Sequence, residues 1–88
     1  MEIIVYSKNN CVFCNKAKLM LKNLGLKYTE KSLEKDFGSD PSKLIEDIGK
    51  NVRTMPQIKI DGKLVGGYNQ LIEHFADQGK VNFKGEII

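Results

Sequence analysis

Glu2-Ile3-Ile4-Val5-Tyr6, then Ser7-Lys8-Asn9-Asn10, then Cys11-Val12-Phe13-Cys14: a β-branched and aromatic run, a polar turn and a cysteine pair follow one another, and their order decides the fold. Residues 2–6 predict a short buried strand. From about Val12 to Leu24 the apolar residues Phe13, Ala17, Met20, Leu21 and Leu24 recur at helical spacing, and Gly25 supplies the stop. The cysteines therefore stand where a strand hands over to a helix. They are the chain's only two. A disulfide across so short a loop removes almost no unfolded-state entropy, so it makes a poor structural staple. That leaves redox chemistry or metal binding.

Working outward, residues 26–33 predict a second strand with polar alternation. Asp40-Pro41 opens a further helix, with Asp40 the N-cap, Pro41 at the first helical position, Leu44, Ile45 and Ile48 as the buried stripe and Gly49 the stop. Gln57-Ile58-Lys59-Ile60 alternates as a strand, Asp61-Gly62 is a two-residue hairpin signal, and residues 63–66 return as its partner. Gly66-Gly67 breaks the sheet. Leu71, Ile72, Phe75 and Ala76 mark a last helix over 69–78, with Asn69 as its expected N-cap. The tail from Gly79 to Ile88 is assigned at most an extended segment.

The order is βαβ, then α, then ββα. A strand, crossover helix and strand imply a parallel pair with a right-handed crossover, to which the hairpin adds two strands. The expected fold is α/β and thioredoxin-like: a four-stranded mixed sheet flanked by three helices. The 88 residues form one domain, 1–88, with 79–88 as its C-terminal tail.

Composition narrows the function. Fourteen basic against eleven acidic residues give a net charge of +3. Lys and Glu are interspersed and no module signature appears, so a nucleic-acid partner is not expected. The small excess suits an anionic peptide. No segment approaches the ~20 apolar residues of a membrane span. The first residues lack a basic leader followed by a long apolar stretch, so cytoplasmic residence is expected.

Cys11, at a helix N-terminus, would face unpaired amides and a partial positive charge, which favour a thiolate. Lys8 would add a further positive charge. Cys14 lies almost one turn inside, more buried yet close enough to attack a mixed disulfide on Cys11. The outer cysteine is then the nucleophile and the inner one resolves. The rival is half a zinc site. Zinc takes about four ligands, and beyond the pair only His74 is a soft ligand; it falls off the Leu71/Ile72/Phe75 stripe and is expected to face solvent, so no metal is expected.

Three segments, in order, resemble the glutaredoxins. Cys11-Val12-Phe13-Cys14 looks like the family's Cys-Pro-Tyr-Cys site. Arg53-Thr54-Met55-Pro56-Gln57-Ile58 is similar to its Thr-Val-Pro-Gln-Ile segment, and Gly66-Gly67-Tyr68-Asn69 resembles its Gly-Gly-Tyr/Phe-Asp/Thr segment. The stretch from Lys35 to Asn51 most resembles the small bacterial and phage class I members. The resemblance implies a cis peptide before Pro56, which would free the Met55 backbone to pair with an extended peptide running along Thr54 and Met55. It implies that the γ-glutamyl end of glutathione meets Gly67, Tyr68, Asn69 and Gln70, that Phe13 walls the thiol site, and that Lys8 and Arg53 meet or steer the glycyl carboxylate. Tyr68 could equally be a packing aromatic, and Lys8 and Arg53 solvated surface charges.

The implied activity is glutathione-dependent reduction of protein disulfides and glutathionylated proteins by a monomer, with ribonucleotide reductase one such acceptor. Two neighbours stay open: a redoxin reduced by thioredoxin reductase, and an iron–sulfur carrier ligated by Cys11 and glutathione. Three departures bear on the choice. Val12 replaces Pro and regains an N–H. Phe13 replaces Tyr and loses a hydroxyl. Asn69-Gln70 stands where an acidic residue is common, so the glutathione ammonium lacks a charged partner.

Overall fold

A computed structural model of the chain describes residues 1–82 and 86. Its strands are β1 (Ile3–Ser7), β2 (Thr29–Ser32), β3 (Gln57–Ile60) and β4 (Lys63–Gly66); its helices are α1 (Val12–Asn23), α2 (Leu33–Asp36), α3 (Pro41–Ile48) and α4 (Tyr68–Asp77). The sheet order is β2-β1-β3-β4. β1 pairs parallel with β2 and antiparallel with β3, and β3 pairs antiparallel with β4. This is the thioredoxin-like arrangement.

Period-two alternation divides the core. Ile3 and Val5 of β1 and Ile58 and Ile60 of β3 face one side, where Ala17, Met20 and Leu21 of α1 and Leu71, Ile72 and Phe75 of α4 cover them. Ile4 and Tyr6 point to the other side, against Leu44 and Ile48 of α3. Each aliphatic or aromatic side chain withdrawn this way contributes about 1.5–3 kcal/mol. The layers on the two sides are unequal, and the α3 side is the thinner.

The helix ends follow the sequence signals. Gly25 and Gly49 both take left-handed backbone, at φ 73° and 85°. Gly25 N–H donates to the Lys22 carbonyl and Leu26 N–H to that of Leu21, each at 3.0 Å, which closes α1 in a Schellman motif. Asp40 Oδ1 accepts from Ser42 N–H at 3.0 Å at the start of α3. Asp61 and Gly62 have φ of 51° and 80°, as a two-residue hairpin turn requires.

Two expectations are corrected here. The second strand occupies only Thr29–Ser32 rather than 26–33. Leu26 and Tyr28 instead pack against the larger core, and Leu33 opens a fourth, single-turn helix, α2. Ser32 ends the strand because both its ends are drawn into that turn: its Oγ accepts from Lys35 N–H at 3.3 Å, and its own N–H donates to Asp36 Oδ2 at 2.6 Å. The fold therefore has four helices where three were expected. The sequence left open whether the tail packs; at its start it does, with Val81 buried in the larger core. The rest of the expected extended segment, over residues 83–85 and 87–88, lies outside the described residues.

Under α3, the Tyr6 hydroxyl donates to Asp47 Oδ2 at 2.6 Å, and Lys31 Nζ reaches the same oxygen at 3.0 Å. Burial, and then the Asp47 hydrogen bond, push the Tyr6 phenol well above its ordinary range. Asp47 is held below the usual carboxylate range by the Tyr6 hydrogen bond first and by Lys31 second. A carboxylate depressed on folding stabilises the protein above its unfolded value of about 3.9, and that contribution is lost as pH falls through the folded value. Asp47→Asn is therefore expected to lower the urea midpoint at pH 7, and the gap to wild type is expected to narrow progressively as pH falls below about 3.9. A gap that does not change with pH would show that the charge is not what matters.

Candidate functional site

Cys11 is the N-cap of α1, with extended backbone at φ −114° and ψ 105°, and the Cys14 N–H donates to its sulfur at 3.2 Å. A sulfur atom thus occupies the place usually filled by a Ser or Asp oxygen, where the helix dipole favours negative charge. Cys11 is 8% exposed and Cys14 1%. The two are joined as a disulfide with Cα atoms 5.2 Å apart. The outer position is the one a substrate sulfur can reach.

Behind Cys11 runs the loop into β3. The Met55–Pro56 peptide is cis, and the Met55 carbonyl oxygen lies 3.6 Å from Cys11 Sγ. Gln57, 6% exposed, donates from Nε2 to the Thr54 carbonyl at 2.9 Å and to Thr54 Oγ1 at 3.3 Å. A buried amide so placed fixes the loop beside the thiol. The sequence motif and strand pattern by themselves assign Gln57 no part in the site. The signal was its place immediately after Pro56, where its side chain points away from Ile58 and Ile60.

A cavity of about 190 Å³ is lined by Phe13, Thr54, Met55, Pro56, Gly67, Tyr68, Asn69 and Gln70, and Met55 links it to Cys11. The Phe13 and Tyr68 rings are 5.8 Å apart and tilted, and Lys16 Nζ stands 5.2 Å from the Phe13 centroid. Eight of the ten expected ligand-binding residues therefore meet in one groove. The other two, Lys8 and Arg53, do not line it; they lie across Met55, in a second hollow.

The α4 part of the groove corrects another expectation. Gly67, not Asn69, is the N-cap of α4, and Gln70 Oε1 accepts from the Gly67 N–H at 3.0 Å. Asn69 falls inside the first turn because the chain enters helical backbone at Tyr68. The glycine that sterics require is Gly66. Its φ is +125°, and a Cβ there would sit 2.9 Å from Gln70 Cγ. The carboxamide of Gln70 is thus spent partly on its own helix, whose first-turn residues Tyr68, Asn69 and Gln70 line the groove.

His74 sits on α4 away from this groove, edge-on to Phe75 and with Nε2 3.0 Å from Gln78 Nε2. It is not brought near the cysteines. On the opposite side of α1, Glu30 accepts from Lys18 and from the Ser7 hydroxyl, at 2.8 and 2.7 Å. Those two bonds, Lys18 first, hold its carboxyl below the usual range.

Comparison with known proteins bears on this arrangement. The family model described as Glutaredoxin matches residues 3–65, from the first strand through the cysteine pair to the hairpin. Glutaredoxin-C6 of Oryza sativa subsp. japonica is 37% identical over 81 residues, covering 90% of this chain and 70% of that protein. Among solved structures, glutaredoxin 1 from Francisella tularensis, complexed with cacodylate, superposes with a TM-score of 0.71 at 25% identity, covering 88% of this chain and 93% of that one. A buckwheat glutaredoxin–glutathione complex gives a TM-score of 0.71 at 29% identity, covering 86% and 69%. The chain spans 60 to 70% of the length of the first curated relatives it matches.

Proposed function

The chain belongs to the glutaredoxin family, and from that premise we propose that it is a glutathione-dependent thiol–disulfide oxidoreductase acting through Cys11 and Cys14. The observation that carries this reading is the Cys11 sulfur at the cap of α1, taking an N–H from Cys14, beside a groove that the Met55–Pro56 loop lines. In the reduced protein the Cys11 thiolate attacks the glutathione sulfur of a protein–glutathione mixed disulfide. The old S–S bond breaks, the protein thiolate leaves and takes a proton, and Cys11 holds the glutathione. A second glutathione thiolate then attacks that sulfur, releasing oxidised glutathione and regenerating Cys11. With a protein disulfide, Cys11 forms the mixed disulfide and Cys14 displaces it, closing the Cys11–Cys14 bridge. Two molecules of glutathione reduce that bridge.

Glutathione fits the groove by chemistry. A carboxylate suits the amides at the start of α4, and an extended tripeptide backbone suits the Met55 amide and carbonyl. The buckwheat protein of similar fold was solved as a glutathione complex. Cytoplasmic residence goes with this chemistry, since that compartment keeps thiols reduced, and ribonucleotide reductase belongs among the acceptors to be tried. The test is reduction of a glutathione mixed disulfide, coupled to glutathione reductase and NADPH. Activity supports the assignment; inactivity with glutathione, together with reduction by thioredoxin reductase, would replace the electron donor.

Among the described residues the groove lining contains no carboxylate, so none of them offers the γ-glutamyl ammonium an ionic partner. Asn69→Asp supplies one at an exposed position in the first turn of α4. It is expected to lower the KM for glutathione about three- to fivefold with kcat little changed, the worth of one exposed ion pair of roughly 0.5–1 kcal/mol. An unchanged KM would mean that the ammonium lies away from Asn69.

A further inference from the structure

Across Met55 from the groove lies a second hollow of about 370 Å³, whose apolar walls are Leu33, Pro41, Leu44, Ile45, Val52 and Met55. They come from α2, α3 and the loop after α3, three segments that also cover the thinner core layer. Leu44 is fully buried, but Leu33, Ile45, Val52 and Met55 stay partly open, so the layer ends in a depression rather than a closed surface. Lys8 and Arg53, both exposed, stand on its rim. Among the described residues, no carboxylate lines it. Three carboxylates adjoin lining residues in sequence: Asp40 caps α3 through Ser42 N–H, Glu34 accepts from Asn9 N–H at 2.9 Å, and Glu46, next to Ile45 on α3, is exposed and outside the lining. An apolar floor under two cations, with no carboxylate among its described lining residues, suits an apolar side chain flanked by acidic ones.

Met55 belongs to both cavities, and its carbonyl oxygen is 3.6 Å from Cys11 Sγ. A ligand joined to Cys11 can therefore extend one way toward α4 and the other way into the hollow. Resting on the function proposed above, we propose that the hollow is the docking site for the protein part of the substrate, taking an apolar side chain from an acidic segment beside its disulfide cysteine. Glutathione fills the groove while the partner protein anchors in the hollow, so the leaving thiol is held at Met55. Chemistry at sulfur is unchanged; the hollow sets which proteins are turned over fastest.

The test uses the full chain and three peptides glutathionylated at a central cysteine. One carries Leu and Glu on both sides of the cysteine, the second replaces each Glu by Lys, and the third replaces each Leu by Ser. The acidic Leu peptide is expected to show about tenfold higher kcat/KM than the Lys peptide and several-fold higher than the Ser peptide. The first ratio should shrink with added salt. In Val52→Glu, and in the milder Ile45→Thr, the preference should collapse, while turnover of the small mixed disulfide of glutathione and 2-mercaptoethanol stays at the wild-type rate. Equal rates on all three peptides, with the small disulfide still reduced, would overturn the docking site alone. Failure on the small disulfide as well would overturn the underlying function. A wild-type dimer in sedimentation that Val52→Glu dissolves would give the hollow to a second copy instead.

Discussion

Cys11→Ser is expected to lower kcat/KM for a glutathione mixed disulfide by at least about a thousandfold, while Cys14→Ser stays within roughly threefold of wild type. The asymmetry follows from position. Cys11 caps α1 and is the sulfur a substrate can reach, whereas Cys14 is 1% exposed. Its N–H, not its thiol, is what stabilises the attacking sulfur, and a serine leaves that N–H in place. With a protein disulfide as substrate the two variants should look alike, since without Cys14 nothing displaces the mixed disulfide within the molecule. The serine hydroxyl enters a buried site, so Cys14→Ser is expected to lose about 1–3 kcal/mol of stability. Circular dichroism at the assay temperature separates that loss from any loss of chemistry. Rapid alkylation of the reduced protein by iodoacetamide, located by mass spectrometry, should fall on Cys11 first. An active Cys11→Ser beside a dead Cys14→Ser would reverse the assignment of nucleophile and resolving thiol.

What the sequence made legible is what depends on short-range pattern. Alternation in Gln57–Ile60, the helical stripes of α1 and α3, and the turn pair Asp61-Gly62 are local, and the structure has each of them. The one-turn helix α2 was hidden because four residues cannot show a helical period; only the reciprocal bonds between Ser32 and Lys35 and Asp36 define it. Asn69 was expected as a cap because its side chain type suits one. The structure caps two residues earlier, at Gly67, through Gln70, which reaches back to its N–H and demands a glycine at Gly66. The groove was legible in its members, since the three motifs carry seven of its eight lining residues and Gln70 directly follows the last, but the division of Lys8 and Arg53 from the rest was not. It depends on Met55 standing between two cavities, a long-range placement that residue spacing does not encode. Likewise the second hollow joins α2, α3 and the loop after α3, and no sequence period links them.

Val81→Asp is expected to leave the protein largely unfolded at 37 °C, and Val81→Ala to cost about 1–3 kcal/mol. Val81 follows the last helix, where sequence predicted little more than a tail. The end of α4 explains its depth. Gly79, at φ 74°, donates to the Ala76 carbonyl, and Lys80 N–H donates to that of Phe75, both at 3.0 Å. This Schellman turn reverses the chain back onto α4, and it lays Val81, 1% exposed, into the core beside residues such as Phe75 and Leu71. A domain of this size has roughly 4–13 kcal/mol of stability in all, at 0.05–0.15 kcal/mol per residue. An unpaired carboxylate in that core removes a large share of it. For the alanine variant, about 4–8 °C per kcal/mol predicts a Tm lower by roughly 5–20 °C. Because Val81 lines neither the groove nor the hollow, kcat/KM per folded molecule should not change in Val81→Ala below its Tm. Melting within 3 °C of wild type for both variants would mean that the segment after Gly79 is not part of the core. A wild-type Tm with reduced kcat/KM would instead tie it to the site.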